Sequence, residues 1–113
     1  MPVPYPNAAQ NVSIGPIPTT PIADAGTFTS LLTQSKGANI SVWVKVTHAA
    51  TLHIKQYADN DGQFLVQDTT QALVANTLAN KVVNDGKLFT YFQITIVNSS
   101  GATMTITNLA ILQ

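Results

Sequence analysis

The sequence predicts an all-β protein, an antiparallel β-sandwich of seven or eight strands preceded by an extended Pro-rich N-terminal arm. Several short stretches alternate apolar and polar residues, as half-buried strands do. Turns rich in Asn, Asp and Gly separate these stretches at intervals of about 8–12 residues. Thr and Asn also fill positions that charged residues usually take, and they suit strands and turns. Jelly-roll and immunoglobulin-like wirings both fit this pattern, and we describe the predicted sandwich as jelly-roll-like.

The predicted arm comprises residues 1–22, and the predicted sandwich domain comprises residues 23–113. All six prolines lie in the arm, where they fix φ and remove backbone donors, so the arm cannot join the middle of a sheet. The arm also carries the apolar residues Val3, Tyr5, Val12, Ile14, Ile17 and Ile22. A solvated linker has little use for such side chains. We therefore favour an arm that lies in a groove of its own domain or a neighbour over a floppy tail.

The clearest strand is Ile40–Val46, where four aliphatic residues alternate with Ser41, Trp43 and Lys45. This pattern places the aliphatic set in the core and Trp43 on the opposite face. An exposed Trp is often an interface residue, but it is also a common packing group. Trp43 is therefore either a partner contact or a packing residue at a sheet edge or under the arm.

Other alternating segments predict the remaining strands. The predicted strands are 27–32, 51–57 and 64–70, with one or two irregular strands in 71–83. Residues 88–97 and 102–112 also alternate, and the turn Asn98-Ser99-Ser100-Gly101 separates them. Two such runs joined by a Gly-containing turn predict an antiparallel hairpin.

Composition limits the classes of function. At 113 residues, the chain is expected to form one domain. Its net charge is zero, which offers no electrostatic case for nucleic acid. Cysteine is absent, and no apolar run or signal pattern predicts a membrane span or secretion. Only 9% of residues are charged, which suggests either a surface covered by neighbouring subunits or an ordinary neutral surface.

The sequence offers no catalytic, metal or cofactor site. His48 and His53 are the only imidazoles, and we expect no third ligand to complete a zinc site with them. Asp59-Asn60-Asp61-Gly62 superficially suggests calcium, but it lacks the full ligand set of an EF-hand loop and is better explained as a turn. No nucleophile-elbow pattern or carboxylate pair is evident. We expect a protein that is not an enzyme.

Two segments carry a resemblance to a known class of domain. Residues 51–57, followed by a turn ending at Gly62 and then Phe64, resemble the pattern T-L-x-I-x-Q-S-x-D-G-x-x-W. Residues 91–102 resemble Y-F-R-V-x-Y-x-N-x-S-G-A, with Gln93 in place of Arg. With the 40–46 strand, they are similar to small β-sandwich domains of tailed-phage virion proteins over residues 24–113. Such domains are structural or binding modules.

The resemblance implies a virion structural protein, which we expect to be a capsid decoration (cement) protein on the capsid surface, assembled in the host cytoplasm. It would bind the major capsid protein or other virion subunits as a homo-oligomer, with a trimer favoured. The expected partner contacts are Tyr5, Val12, Ile14, Ile17 and Trp43. The alternative is a tail, baseplate or head-fibre adaptor or receptor-binding module, in which exposed aromatic residues would bind a glycan. A non-viral binding module is a third hypothesis.

Overall fold

The computed structural model describes residues 21–30, 32–35, 39–84 and 89–113. Within these ranges the chain forms eight β-strands and no helix. The strands are β1 (Thr27–Thr29), β2 (Thr33–Gln34), β3 (Ile40–Val46), β4 (Ala50–Tyr57), β5 (Leu65–Leu73), β6 (Ala79–Val83), β7 (Tyr91–Asn98) and β8 (Ile106–Leu112). The all-β prediction is therefore confirmed.

The strands form two antiparallel sheets. The larger sheet has the order β1-β7-β4-β5, and β2 also pairs with β7. The smaller sheet has the order β6-β3-β8. The two sheets share one hydrophobic core, so the fold is sandwich-like. This strand order does not confirm the jelly-roll wiring.

The core consists of the inward-facing residues of both sheets. In β3, Ile40, Val42, Val44 and Val46 are buried, as their alternation predicts. The larger sheet contributes residues of β4 and β7 that are fully buried: Leu52, Ile54, Phe92, Ile94 and Ile96. Phe89 packs edge-on against Phe92, with ring centroids 6.4 Å apart. The apolar residues on both inner faces, many of them β-branched, therefore account for the packing of one sheet on the other.

The predicted C-terminal hairpin is wrong. β7 lies in the larger sheet, whereas β8 lies in the smaller sheet beside β3. The segment that connects β7 to β8 is hydrogen-bonded to the start of the described chain. Ile22 and Met104 exchange two backbone hydrogen bonds, of 2.7 and 2.9 Å. Period-two alternation and a Gly-containing turn occur in crossovers between sheets as well as in hairpins, so the local pattern could not distinguish the two.

The segment from Gln71 to Val83 contains strand residues and no helix, as predicted. β5 continues to Leu73, and β6 begins at Ala79 in the other sheet. Asn76 adopts a φ of 57° in the connection, a left-handed conformation that Asn tolerates. Its N–H donates to the Val46 carbonyl at 2.7 Å and so ties the connection to the end of β3.

The predicted arm lies almost entirely outside the described residues. Pro21 and Ile22 are its only described members. Ile22 packs against the core and bridges to Met104, so the last residue of the predicted arm belongs to the sandwich. The predicted turn at 84–86 falls largely outside the described residues as well.

Candidate interaction surface

The outer face of the smaller sheet is the best candidate for a functional surface. We call it the Trp43 face. It comprises Ser41, Trp43 and Lys45 of β3, the paired Asn80 and Val82 of β6, and the paired Asn108, Ala110 and Leu112 of β8. Directly opposed residues of antiparallel strands share a face, so this surface follows from the two registers and the inward burial of the alternating β3 residues.

Trp43 lies at the centre of this face. It is directly opposite Asn80 on one side and Ala110 on the other. Both neighbours are small, and 40% of the Trp43 residue surface remains exposed. The Asn80 amide donates to Ser41 Oγ at 2.9 Å and to the Val42 carbonyl at 3.2 Å. These bonds hold the Asn80 amide against β3, which leaves the indole accessible to a partner.

The Trp43 face is weakly charged and partly apolar. Lys45 is its only ionisable member, and Val82 is 52% exposed. Ala110 and Leu112 continue the apolar surface across β8 to the edge of the sheet. An exposed Trp within such a patch is typical of protein contact surfaces.

Sequence reasoning identified only part of this surface. Trp43 was predicted correctly to lie on the face opposite the core-facing aliphatic residues. Val82, Ala110 and Leu112 were missed, although period-two alternation in their own strands could have placed them outward. The other predicted contacts, Tyr5, Val12, Ile14 and Ile17, lie outside the described residues, so their role as partner contacts stays a prediction.

The two histidines have separate partners. His53 Nδ1 lies 3.1 Å from an Asp68 carboxylate oxygen across the β4–β5 pair. His48 Nδ1 lies 3.0 Å from Thr47 Oγ1. The pairing of Asp68 with His53 was not among the sequence-based predictions. No group of three or more His, Cys, Asp or Glu side chains in the described ranges is arranged to hold a metal ion.

The Asp59–Gly62 segment is a turn stabilised by Asp59. The two carboxylate oxygens of Asp59 accept hydrogen bonds from the backbone N–H groups of Gln63 and Phe64, each at 3.0 Å. A hydrogen bond with the Asp61 carboxyl, followed by these backbone bonds, lowers the pKa of Asp59, and the same carboxyl contact raises the pKa of Asp61. Gly62 closes the turn with a φ of 74°. These interactions explain the sequence motif structurally.

No concave site accompanies these groups. The described residues form no pocket. They also include no helix that is long and apolar enough to cross a membrane. Burial raises the pKa of Tyr57, with smaller contributions from Asp68 and Asp59, and only 8% of this residue is exposed. The perturbed groups therefore lie at a turn and in a packed strand, whereas the accessible apolar surface lies on the Trp43 face.

No protein-family model matches the chain, and a search of curated proteins finds no match.

Proposed function

We propose that this chain is a virion structural protein, a capsid decoration protein that stabilises a phage shell by bridging capsid subunits. Its partners would be the major capsid protein and further copies of itself. The proposal is supported by the small sandwich-like fold, by the low content of charged residues and by the resemblance of residues 24–113 to virion sandwich domains.

The observation that carries the proposal is the Trp43 face. Decoration adds stability by burying apolar area between the decorating protein and the shell, at about 25 cal/mol per Å². A face with an exposed Trp43 and Val82 and a single charged residue supplies such area at a low desolvation cost. The absence of a pocket around the described residues is compatible with a contact function.

The arm is the second part of the proposal. Twenty residues precede Pro21, and an extended chain of that length spans at most about 70 Å. Apolar groups along a Pro-rich segment, such as Tyr5, Ile14 and Ile17, are suited to grooves between subunits. In this proposal the arm reaches neighbouring capsid subunits while the sandwich sits on the shell.

Deleting residues 1–20 tests the arm. We expect the truncated protein to keep its β-sheet circular dichroism and to lose co-sedimentation with undecorated shells, because the arm residues would no longer bridge subunits. A truncated protein that still decorates shells normally would refute the role of the arm.

Two full-length variants test the Trp43 face in the same assay. Trp43→Ala should lower the occupancy of the shell, whereas Val74→Ala, at a site 65% exposed in the β5–β6 connection, should leave it unchanged. Equal occupancies of the shell by the two variants would show that the Trp43 face does not contact the shell.

The tail, baseplate or head-fibre alternative predicts few copies per virion. Its glycan-binding form requires exposed aromatic residues to gather at one end of the sandwich. Tyr57 and Tyr91 are paired in the larger sheet, whereas Trp43 lies in the smaller sheet, and this separation gives no support to such a platform. Counting copies on saturated particles separates the two proposals, since decoration requires hundreds of copies and an adaptor only a few.

A further inference from the structure

β8 is an edge strand whose outer side is open among the described residues. It pairs with β3 from Ser41↔Leu112 to Val46↔Ile106, and no described strand pairs with its other side. Its sequence, Ile106-Thr107-Asn108-Leu109-Ala110-Ile111-Leu112, contains no charge and no proline. The bulge at the Lys45/Val46 shift affects only the start of β8, so residues 108–112 offer a regular row of backbone groups.

The other described edges carry features that discourage strand addition. β1 and β2 are only three and two residues long. β5 carries the exposed Asp68 and has a register shift beside Leu65. In β6, the half-buried Lys81 is directly opposite the buried Val42. The Lys81 side chain therefore leaves the strand on the inner face of the sheet. Short strands, bulges and inward-pointing charges are the means by which proteins protect sheet edges, and residues 108–112 have none of them.

We propose that β8 pairs with β8 of a second copy of this chain, antiparallel and with a two-fold axis at Ala110. This register puts Ala110 opposite Ala110 of the partner subunit, and Leu109 opposite the partner's Ile111. In each copy, Leu109 and Ile111 lie on the inner face and pack in the hydrophobic core. Asn108, Ala110 and Leu112 lie on the Trp43 face. Inner residues therefore meet inner residues, and no like charges face each other.

This pairing joins the two Trp43 faces into one surface. Trp43 is directly opposite Ala110, so the row across the joined sheets reads Trp43, Ala110, the partner's Ala110 and the partner's Trp43. Neighbouring strands are about 4.8 Å apart, which places the two Trp backbones about 14 Å from each other across two small residues. The pair thus presents a doubled apolar surface on one side of a six-stranded sheet.

The segment before Ile22 is the competing occupant of this edge. Ile22 donates its N–H to Met104, just before β8. Pro18 and Pro16 have no N–H to donate. The chain's own continuation is therefore a poor ladder partner for β8, and a second β8, which has no proline, is a better one.

A single introduced thiol tests the pairing, because the chain has no cysteine. Opposed residues of an antiparallel pair have Cα atoms about 5 Å apart, within the range of a disulfide. We expect the full-length Ala110→Cys variant to form a covalent dimer in a glutathione redox buffer. Asn80→Cys, on the same face but on β6, should form no covalent dimer, because five strand spacings of about 4.8 Å would separate the two thiols. Equal cross-linking of the two variants would overturn the proposal.

A charge at the axis provides the second measurement. In the proposed pairing, Ala110→Lys places two lysines directly opposite each other. We expect sedimentation to detect a concentration-dependent dimer of the wild type and of Asn80→Lys, and none of Ala110→Lys. Both sites face outward, and matching circular dichroism spectra would show that both variants fold. A two-fold pair closes at two copies, whereas the resemblance to virion domains favoured a trimer. A wild-type trimer, or a monomer whose Ala110→Cys variant does not cross-link, would therefore contradict the proposed pairing.

Discussion

At the scale of single residues, Gln56 is a polar residue on an otherwise apolar inner face of β4. It shares the inward face of β4 with Leu52 and Ile54, and it is fully buried. Among the described residues, neither its side-chain amide nitrogen nor its side-chain carbonyl oxygen has a hydrogen-bond partner. A buried carboxamide without partners loses its hydration and gains nothing in return. Gln56 therefore weakens the fold at a position where an apolar side chain of the same length would stabilise it.

Replacing Gln56 with Met should raise the free energy of unfolding by about 1–3 kcal/mol, because it removes the desolvation penalty and keeps the volume. Urea denaturation of the wild type and the variant measures the change. Gln56→Ala should be less stable than Gln56→Met, since it leaves a cavity. If Gln56→Met is less stable than the wild type, the carboxamide has a polar partner in solution and the explanation fails.

At the scale of elements, Asn98 organises the passage from β7 to β8. It is fully buried, and its amide nitrogen lies 2.9, 3.1 and 2.6 Å from the carbonyl oxygens of Ile22, Ala23 and Ala102. Its side-chain oxygen, Oδ1, accepts hydrogen bonds from the backbone N–H and the hydroxyl of Ser100. One side chain thus joins the end of β7 to the crossover and to the segment before β1.

Asn98→Ala should lower the free energy of unfolding by about 3 kcal/mol, because the hydrogen bonds of the buried side-chain amide to three backbone carbonyl groups and to Ser100 are lost. Chemical denaturation followed by circular dichroism gives the value. Asn84→Ala is the matched control, since Asn84 is exposed and should change stability by less than about 0.5 kcal/mol. Similar values for the two variants would show that the crossover does not depend on Asn98.

At the scale of the whole molecule, the two sheets depend on each other. The core contains residues of both sheets in one cluster, and β5 continues through a short connection into β6 of the other sheet. Neither sheet can bury its inner face alone, so unfolding one sheet exposes the other.

We therefore expect a single unfolding transition. Fluorescence of Trp43 reports on the smaller sheet, because the chain has only this Trp, and far-ultraviolet circular dichroism reports on both sheets. Their thermal transitions should coincide, as two-state unfolding requires. A second transition seen only by circular dichroism would show that the larger sheet persists after the smaller one has melted.

The sequence by itself determined approximately where most of the strands and several turns lie. The alternation in 40–46 correctly separated the buried aliphatic residues from Trp43, and the Asp59–Gly62 segment is a turn. These features are local, because side-chain alternation and turn chemistry depend on residues close together in the chain.

Only the tertiary structure decided which strands are neighbours. It separated β7 from β8, placed Asp68 beside His53, and brought Val82 and Ala110 to the face of Trp43. An alternating strand can satisfy its backbone hydrogen bonds with any other strand of suitable length. Its partner is therefore chosen by the packing of the whole core, which no local segment of the sequence contains.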